Sequence, residues 1–471
     1  MKNNRLLSGL NPGNLIGSVA GVTSCFMLIS SCKAVKEKQQ PNIIIFLADD
    51  LGYGDLACYA NDGLHTAAIE SIANQGVKFT SFYANGAEST PTRTALLTGR
   101  YQHRVGGLEC AIGTDNVGRY DDAIRLRETH NLGLPVSETS IAQILKGGGY
   151  NTAMAGKWHL GYEEKFNPVR HGFDNAIYAL GGEMDYFHHM EKPPISLQIL
   201  YKNEKPFDNK EYFTDLIGEE SLKFLDSQTR QKPFFLYVPF TAPHAPYQGP
   251  GDYRPEVLSD TSAMWNQSRG PAHIYHAMIT SMDENIGRIL EKLEEKELSD
   301  NTIVIFMSDN GGTSSGSNGI LRGNKGNVFE GGIRVPCIVK WPGKIPEGKV
   351  SDQPCMTIDL SASIVRAAGA TIPANRAFDG IDVLKLIEDN SPVEERTMFW
   401  RARRGENTRK AVRQGNMKYI WMINDGNIEE FLFDLGADIS ETRNLSESMP
   451  EAVTKMKILL ESWEEEVKPV R

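Results

Sequence analysis

Three short apolar runs constrain this 471-residue chain more than any other feature: Asn42–Ala48, Phe234–Phe240 and Thr302–Ser308. Each is rich in Ile, Val or Phe, too short for a typical helix and stopped by turn-forming residues. Each therefore reads as a strand buried on both faces. Helical patterns lie between them. In Asp283–Leu298, Ile286, Ile289, Leu290 and Leu293 share one face; Ser140–Leu145 belongs to another helix, stopped by Gly147-Gly148-Gly149. This alternation predicts an α/β fold, a large and mostly parallel sheet sandwiched by helices. After about Gly380 the texture changes. Met398–Arg401, Ala411–Arg413, Lys418–Met422 and Phe431–Leu435 are strand-like pieces with tight connections, and Glu451–Val467 closes the chain as a helix. A smaller C-terminal subdomain of antiparallel sheet plus helix is expected, dividing the chain into 41–380 and 381–471.

Two of the apolar runs stop in hard oxygen donors. Asp49-Asp50 follows the first and Asp309-Asn310 the third. Open α/β sheets place ligands beyond the carboxyl ends of their strands, so these four residues are expected to converge. Oxygen-only ligation suits a hard divalent cation, calcium or magnesium, rather than zinc. Three clustered carboxylates would also repel one another without a cation. An isolated Asp-Asp is more often a turn; two such pairs at equivalent strand ends carry more weight.

Cationic groups stand near other run ends. Gly156-Lys157-Trp158-His159-Leu160-Gly161 follows an apolar stretch, and in extended chain Lys157 and His159 point to one side and Trp158 to the other. His244 lies between Pro243 and Ala245-Pro246 after the second run, and Lys325 lies in the glycine-rich segment Arg322–Gly326. Each alone fits a solvated loop residue. Together they describe a rim able to surround an anion.

Between these sets lies Ser89-Thr90-Pro91-Thr92-Arg93, continuing to Thr98-Gly99-Arg100. Proline is favoured at a first helical position, so Pro91 is expected to start a helix, with Thr90 as N-cap, Ser89 just outside and Gly99 as terminator. Ser89 would sit at the positive end of that helix. A lone Ser-x-Pro-x-Arg also fits a simple helix cap, whereas the longer match through Gly99-Arg100 resembles the sulfatase signature.

With the other motifs in order, the chain over roughly 41–471 resembles a type I sulfatase of the alkaline-phosphatase superfamily, in its serine-type bacterial branch. The resemblance implies oxidation of Ser89 to formylglycine (3-oxoalanine) by an anaerobic radical-type maturing enzyme. It implies a calcium site of Asp49, Asp50, Asp309, Asn310 and residue 89. Arg93 and Lys157 would stabilise the formylglycine hydrate, whose proton Asp309 accepts. Lys157, His244 and Lys325 would bind sulfate, His244 or Lys325 would protonate the leaving alcohol, and His159 would break down the covalent intermediate. Thr92 stands where serine is commoner. The expected reaction is removal of sulfate from a sulfated saccharide, of glycan or glycosaminoglycan type. Rival readings are a phosphomonoesterase or phosphodiesterase of the same superfamily and a catalytically silent glycan-binding lipoprotein.

For the sugar, Asp185 and His188 in the segment Gly181–His189 are candidate ligands to hydroxyls, and His103 and Arg104 candidate pocket walls. A net charge of −10 with no basic stripe argues against a nucleic-acid partner. Lys2 and Arg5, the apolar stretch Leu15–Ile29 and Leu28-Ile29-Ser30-Ser31-Cys32 read as an export signal over 1–31. Its lipobox-like end implies lipidation of Cys32, a tether over 32–40, a membrane link through that lipid alone, and a periplasmic or outer-membrane-attached location. Cys58, Cys110, Cys337 and Cys355 lack any C-x-x-C pair, which argues against zinc and leaves one or two disulfides open.

Overall fold

In-register parallel pairing at the centre of the molecule decides where the functional groups emerge. In a computed structural model describing residues 39–60 and 62–469, the strand Asn42–Ala48 lies between Thr302–Ser308 and Phe234–Pro239, parallel to both. Pairing runs from Asn42 with Thr302 to Ala48 with Ser308, so Asp49 and Asp309 leave the sheet side by side. Asn151–Lys157 and Asn175–Ala179 extend the parallel core beyond Phe234–Pro239. The ten-stranded sheet is mixed at its margins, where Cys337–Lys340 and Leu200–Lys202 run antiparallel to their neighbours. The central strands are buried along their whole length, as strands covered by helices on both faces must be. The export segment and Cys32 lie outside the described residues.

The helices follow their caps and stripes. Ser140 caps Ile141–Gly147 in a reciprocal capping box with Gln143. The long helix is Ala272–Glu295 rather than Asp283–Leu298, because Tyr275, Met278, Ile279 and Met282 continue the buried stripe toward the N-terminus. Gly156 inside the strand Asn151–Lys157 has φ 139°, and a Cβ there would lie 2.0 Å from the Pro239 carbonyl oxygen. Only glycine lets these two strands approach so closely.

The C-terminal strands Thr397–Arg404, Asn407–Gln414, Met417–Asn424 and Asn427–Asp434 form an antiparallel meander. Each connection is a two-residue loop with a positive-φ glycine, at Gly405, Gly415 and Gly426, as tight hairpins require. The helix Pro450–Glu466 packs Met456, Leu460 and Trp463 into a core shared with Trp400, Tyr419 and Phe433, and with Tyr83 and Tyr101 of the main body. Polar fasteners cross the same boundary. Lys418 is wholly buried against Glu330 (2.8 Å) and Glu441 (2.9 Å), and Glu109 accepts from both Arg401 (2.8 Å) and Arg403 (2.7 Å). Cys58, Cys110, Cys337 and Cys355 are all free, so the disulfides left open by the sequence do not form among the described residues. No helix among the described residues is long and apolar enough to cross a membrane.

Candidate active site

The helix carrying Ser89 spans Ser89–Thr98 and is buried at every position. It starts two residues earlier than expected, with Glu88 rather than Thr90 at the cap and Pro91 inside the first turn. Proline is tolerated there because first-turn N–H groups have no partner within the helix. A buried helix with five hydroxyl-bearing residues must satisfy them internally. Thr94 and Thr98 donate back to Thr90 and Thr94 carbonyls (2.8 Å each), Thr90 donates to the His159 carbonyl (3.0 Å), and Thr92 donates to and accepts from the Gly86 backbone (both 3.1 Å). Ser89 Oγ alone points at an acid, donating to Asp49 Oδ1 at 2.9 Å. Gly99 closes the helix at φ 66°.

Around Ser89 the two strand ends meet. Asp50 N–H donates to Asp309 Oδ1 (3.3 Å), and Asn310 Nδ2 donates to Asp50 Oδ1 (2.8 Å). Arg93 grips Asp309 Oδ2 through Nε and Nη2 (3.1 and 2.8 Å) and donates to the Lys157 carbonyl (3.0 Å). Lys157 Nζ rests on Asp49 Oδ2. Lys325 Nζ donates to Asp50 Oδ2 (2.8 Å) and to His244 Nε2 (3.0 Å). Asp49, Asp50, Ser89, Arg93, Lys157, His244, Asp309, Asn310 and Lys325 thus form one buried cluster. Oxygens of Asp49 and Asp50 and a ring nitrogen of His244 lie within 4.8 Å of one another. Asp309 is committed to Arg93 and the Asp50 amide and stands outside that closest triad.

The charges respond to this crowding. Burial raises the Asp309 carboxyl and neighbouring Asp49 raises it further, to about 7, against Arg93 and Lys157. Burial acts the same way on Asp49, but Lys157, His244, Arg93 and Lys325 together hold it well below the ordinary range. Burial and then Lys157 depress the His159 imidazole, and burial and then Lys325 depress that of His244. Burial thus favours the neutral form of both, whose tautomers follow from their partners, since a carbonyl can only accept. His244 donates from Nδ1 to the Ala245 carbonyl (2.5 Å), which leaves Nε2 as acceptor from Lys325. His159 donates from Nε2 to the Ile112 carbonyl (2.7 Å), which leaves a buried, unpartnered Nδ1.

A cavity of about 170 Å³ opens onto the cluster and is lined by Ser89, His159, His244 and Lys325, together with buried Glu88 and the more exposed Arg119, Glu183, Gln267 and Arg404. The route of His159 into it differs from the extended geometry expected. The strand ends at Lys157 and His159 takes φ 56°, while Trp158 turns into the core and donates to the Phe166 carbonyl (2.8 Å). The sugar-side expectations are corrected. Asp185 is fully buried, and its carboxylate accepts from the backbone of Phe187, His188 and Leu258 (3.0, 2.9 and 3.0 Å), so it pins loops rather than facing the cavity. His188 turns to the Arg254 carbonyl (3.0 Å). His103 is bound to the Arg401 carbonyl (3.0 Å), and Arg104 is paired with Asp379 and Glu466 (2.8 and 2.6 Å), so both serve the junction with the C-terminal sheet. Glu88, Arg119 and Arg404 were missed. Only the adjacency of Glu88 to Ser89 offered a signal.

A mostly parallel sheet whose carboxyl edge carries an acidic cluster, a helix-borne hydroxyl and a ring of cations defines a hydrolase of anionic esters of the alkaline-phosphatase type. Comparison with known proteins narrows the class. Residues 41–370 match the Sulfatase family model, and residues 323–466 match the model described as N-sulphoglucosamine sulphohydrolase, C-terminal. The N-acetylgalactosamine-6-sulfatase of Homo sapiens is 32% identical over 77% of this chain and 69% of its own. The steryl-sulfatase of Mus musculus is 30% identical over 75% of this chain and 66% of its own. The crystal structure of Ps i-CgsB in complex with k-i-k-neocarrahexaose superposes with a TM-score of 0.78 at 29% identity, covering 90% of this chain and 93% of that one. The chain belongs to the sulfatase family, as a type I sulfatase of the alkaline-phosphatase superfamily.

Proposed function

We propose that this enzyme removes sulfate from a sulfated carbohydrate, of glycan or glycosaminoglycan type, using formylglycine formed at Ser89 and a bound calcium ion. The hydrogen bond from Ser89 Oγ to Asp49 at the floor of a cation-walled cavity is the observation that carries this reading. Names among its relatives, an N-acetylgalactosamine-6-sulfatase and a protein solved with a neocarrahexaose, support a saccharide substrate.

The donor set fits a hard divalent cation. Asn310 Oδ1 is buried without a hydrogen-bond partner, a cost expected only where something else takes the lone pair. Asp49, Asp50, Asp309, Asn310 and residue 89 would hold the ion, which supplies a positive charge that lowers the pKa of a ligated hydroxyl. Formylglycine supplies an aldehyde whose hydrate carries two hydroxyls on one carbon, one to attack sulfur and one to let sulfate go.

The remaining work falls to ordinary side chains. The Asp309 carboxylate can accept a proton, and Arg93 keeps its Oδ2 fixed. Lys157 and Lys325 place two ammonium groups against the transferring sulfate in a largely buried site, where such charges count more than in open water. Lys325 holds a proton against His244 Nε2, so this pair can deliver it to the departing alkoxide. His159, with Nδ1 free, can take a proton from the second hydroxyl.

Two measurements test the proposal. Peptide mass spectrometry of native enzyme should find residue 89 two hydrogens lighter than serine, and sulfate release should fall on calcium chelation and return with calcium. Fully active enzyme with unmodified Ser89 would overturn the formylglycine reading. Faster release of phosphate than of sulfate from matched esters would favour the phosphatase reading. The N-terminal pattern further supports an exported, lipid-anchored protein, which requires the Cys32→Ser form to leave the membrane fraction.

A further inference from the structure

The mouth of the cavity holds more positive charge than sulfate transfer uses. The hairpin Thr397–Arg404/Asn407–Gln414 points its tip at the site and delivers two arginines. Arg404 lines both the cavity above Ser89 and an adjoining one of about 290 Å³, and Arg409 lines the second. Arg404 Nη2 donates to Glu88 Oε2 at 3.0 Å, an oxygen that also accepts the Ala111 N–H at 2.7 Å. Arg409 rests on neutral acceptors only, donating to the Gly326 carbonyl and, through Nε and Nη2, to Asn424 Oδ1 (3.3 and 3.1 Å). Burial above all, and then nearby Arg404, disfavour its charge, and Glu88 and Asp425 offset this only in part. Among the described residues Glu88, already shared with a backbone amide, is the one carboxylate hydrogen-bonded to either guanidinium.

In a protein of net charge −10, such a local excess needs a reason. Guanidinium forks match the oxygens of carboxylates and sulfates, binding them through paired, charge-assisted hydrogen bonds. The second cavity adjoins the first through Lys325 and Gln267, and Asn324 and Ser314 add neutral hydrogen-bonding groups to its wall. We propose that Arg404 and Arg409 bind a second anionic group of the substrate, a carboxylate or a further sulfate ester beside the scissile one. The preferred substrate is then a saccharide carrying at least two charges. This rests on the sulfatase reading above and narrows its substrate class.

The test separates binding from turnover. Ser89→Ala protein is titrated calorimetrically with three probes: a disaccharide with one uronate and one sulfate, a disaccharide with two sulfates, and a monosulfated N-acetylhexosamine. One charge-assisted contact should make at least one dianionic probe bind about tenfold or more tightly than the monosulfated sugar; which one does so tells a carboxylate site from a sulfate site. Adding Arg404→Gln should erase most of that advantage, and Arg409→Gln part of it. Equal affinity for all three probes, or an equal loss for all three on Arg404→Gln, would overturn the proposal. If Arg404→Gln melts early, Arg409→Gln decides by the same comparison. Failure of the sulfatase reading looks different: native enzyme with verified formylglycine would release sulfate from no ester at all.

Discussion

The large sheet sets Asn310 beside Asp50 across 260 residues of sequence, whereas the C-terminal strands pair with their immediate neighbours through two-residue loops. The two regions also treat buried charge differently. Where the C-terminal sheet meets the main body, buried Lys418 lies between Glu330 and Glu441, and buried Glu109 lies between Arg401 and Arg403. At the end of the large sheet three carboxylates crowd together, one histidine nitrogen has no partner, and one amide oxygen has none. Complete pairing fastens the structure; incomplete pairing leaves groups ready to react.

If that contrast is sound, substitutions should divide into those that stop chemistry and those that loosen the fold. The largest effect is expected from Ser89→Ala, with kcat/KM lowered about 10⁴-fold or more, as for loss of other catalytic nucleophiles, and melting nearly unchanged. Lys418→Met should do the opposite. It strands the Glu441 carboxylate and leaves Glu330 to Arg334 and Tyr83, and should cost about 3–5 kcal/mol in urea unfolding, with kcat preserved in the protein that remains folded.

Acid gives a third probe of the fasteners. Burial alone would raise the Glu109 carboxyl, but Arg401, His103 and Arg403 bring it down to about 2. A carboxyl depressed in the folded state adds stability above its unfolded pKa, and that stability drains away as pH falls toward the folded value. The contribution is about 3 kcal/mol at neutral pH and should vanish between about pH 5 and pH 2. Glu109→Gln should lower the melting temperature at pH 7 and flatten its fall over that range; an unchanged slope would refute the assignment. The smallest effect is at Thr92. Thr92→Ala removes both hydrogen bonds to Gly86 and should cost about 1 kcal/mol, whereas Thr92→Ser should stay close to wild type by thermal melting.

The same contrast explains what could be read from sequence. The strands Asn42–Ala48 and Thr302–Ser308 were legible to the residue because burial on both faces leaves an unbroken apolar run with a carboxylate stop. The C-terminal strands were legible as pieces but came out longer, since their outer faces are half-exposed and interrupt the pattern. The convergence of Asp49, Asp50, Asp309 and Asn310 followed from strand-end logic. The cavity mouth did not, because Glu88, Arg119 and Arg404 come from unrelated segments with no shared periodicity. Asp185 misled because a polar, aromatic segment looks alike whether it holds a sugar or pins a loop. His103 and Arg104 misled for a related reason, as their charges serve a junction that exists only once the C-terminal sheet has docked.

The burial of the Ser89 helix imposes an order in time. Ser89 is 1% exposed, at the bottom of a cavity of about 170 Å³ that admits a sugar but not another enzyme's active site. Any catalyst that oxidised its side chain would have to meet the segment before the fold buries it. Under the formylglycine proposal, maturation and folding would therefore compete, and a molecule that folded first would be sealed with its serine intact.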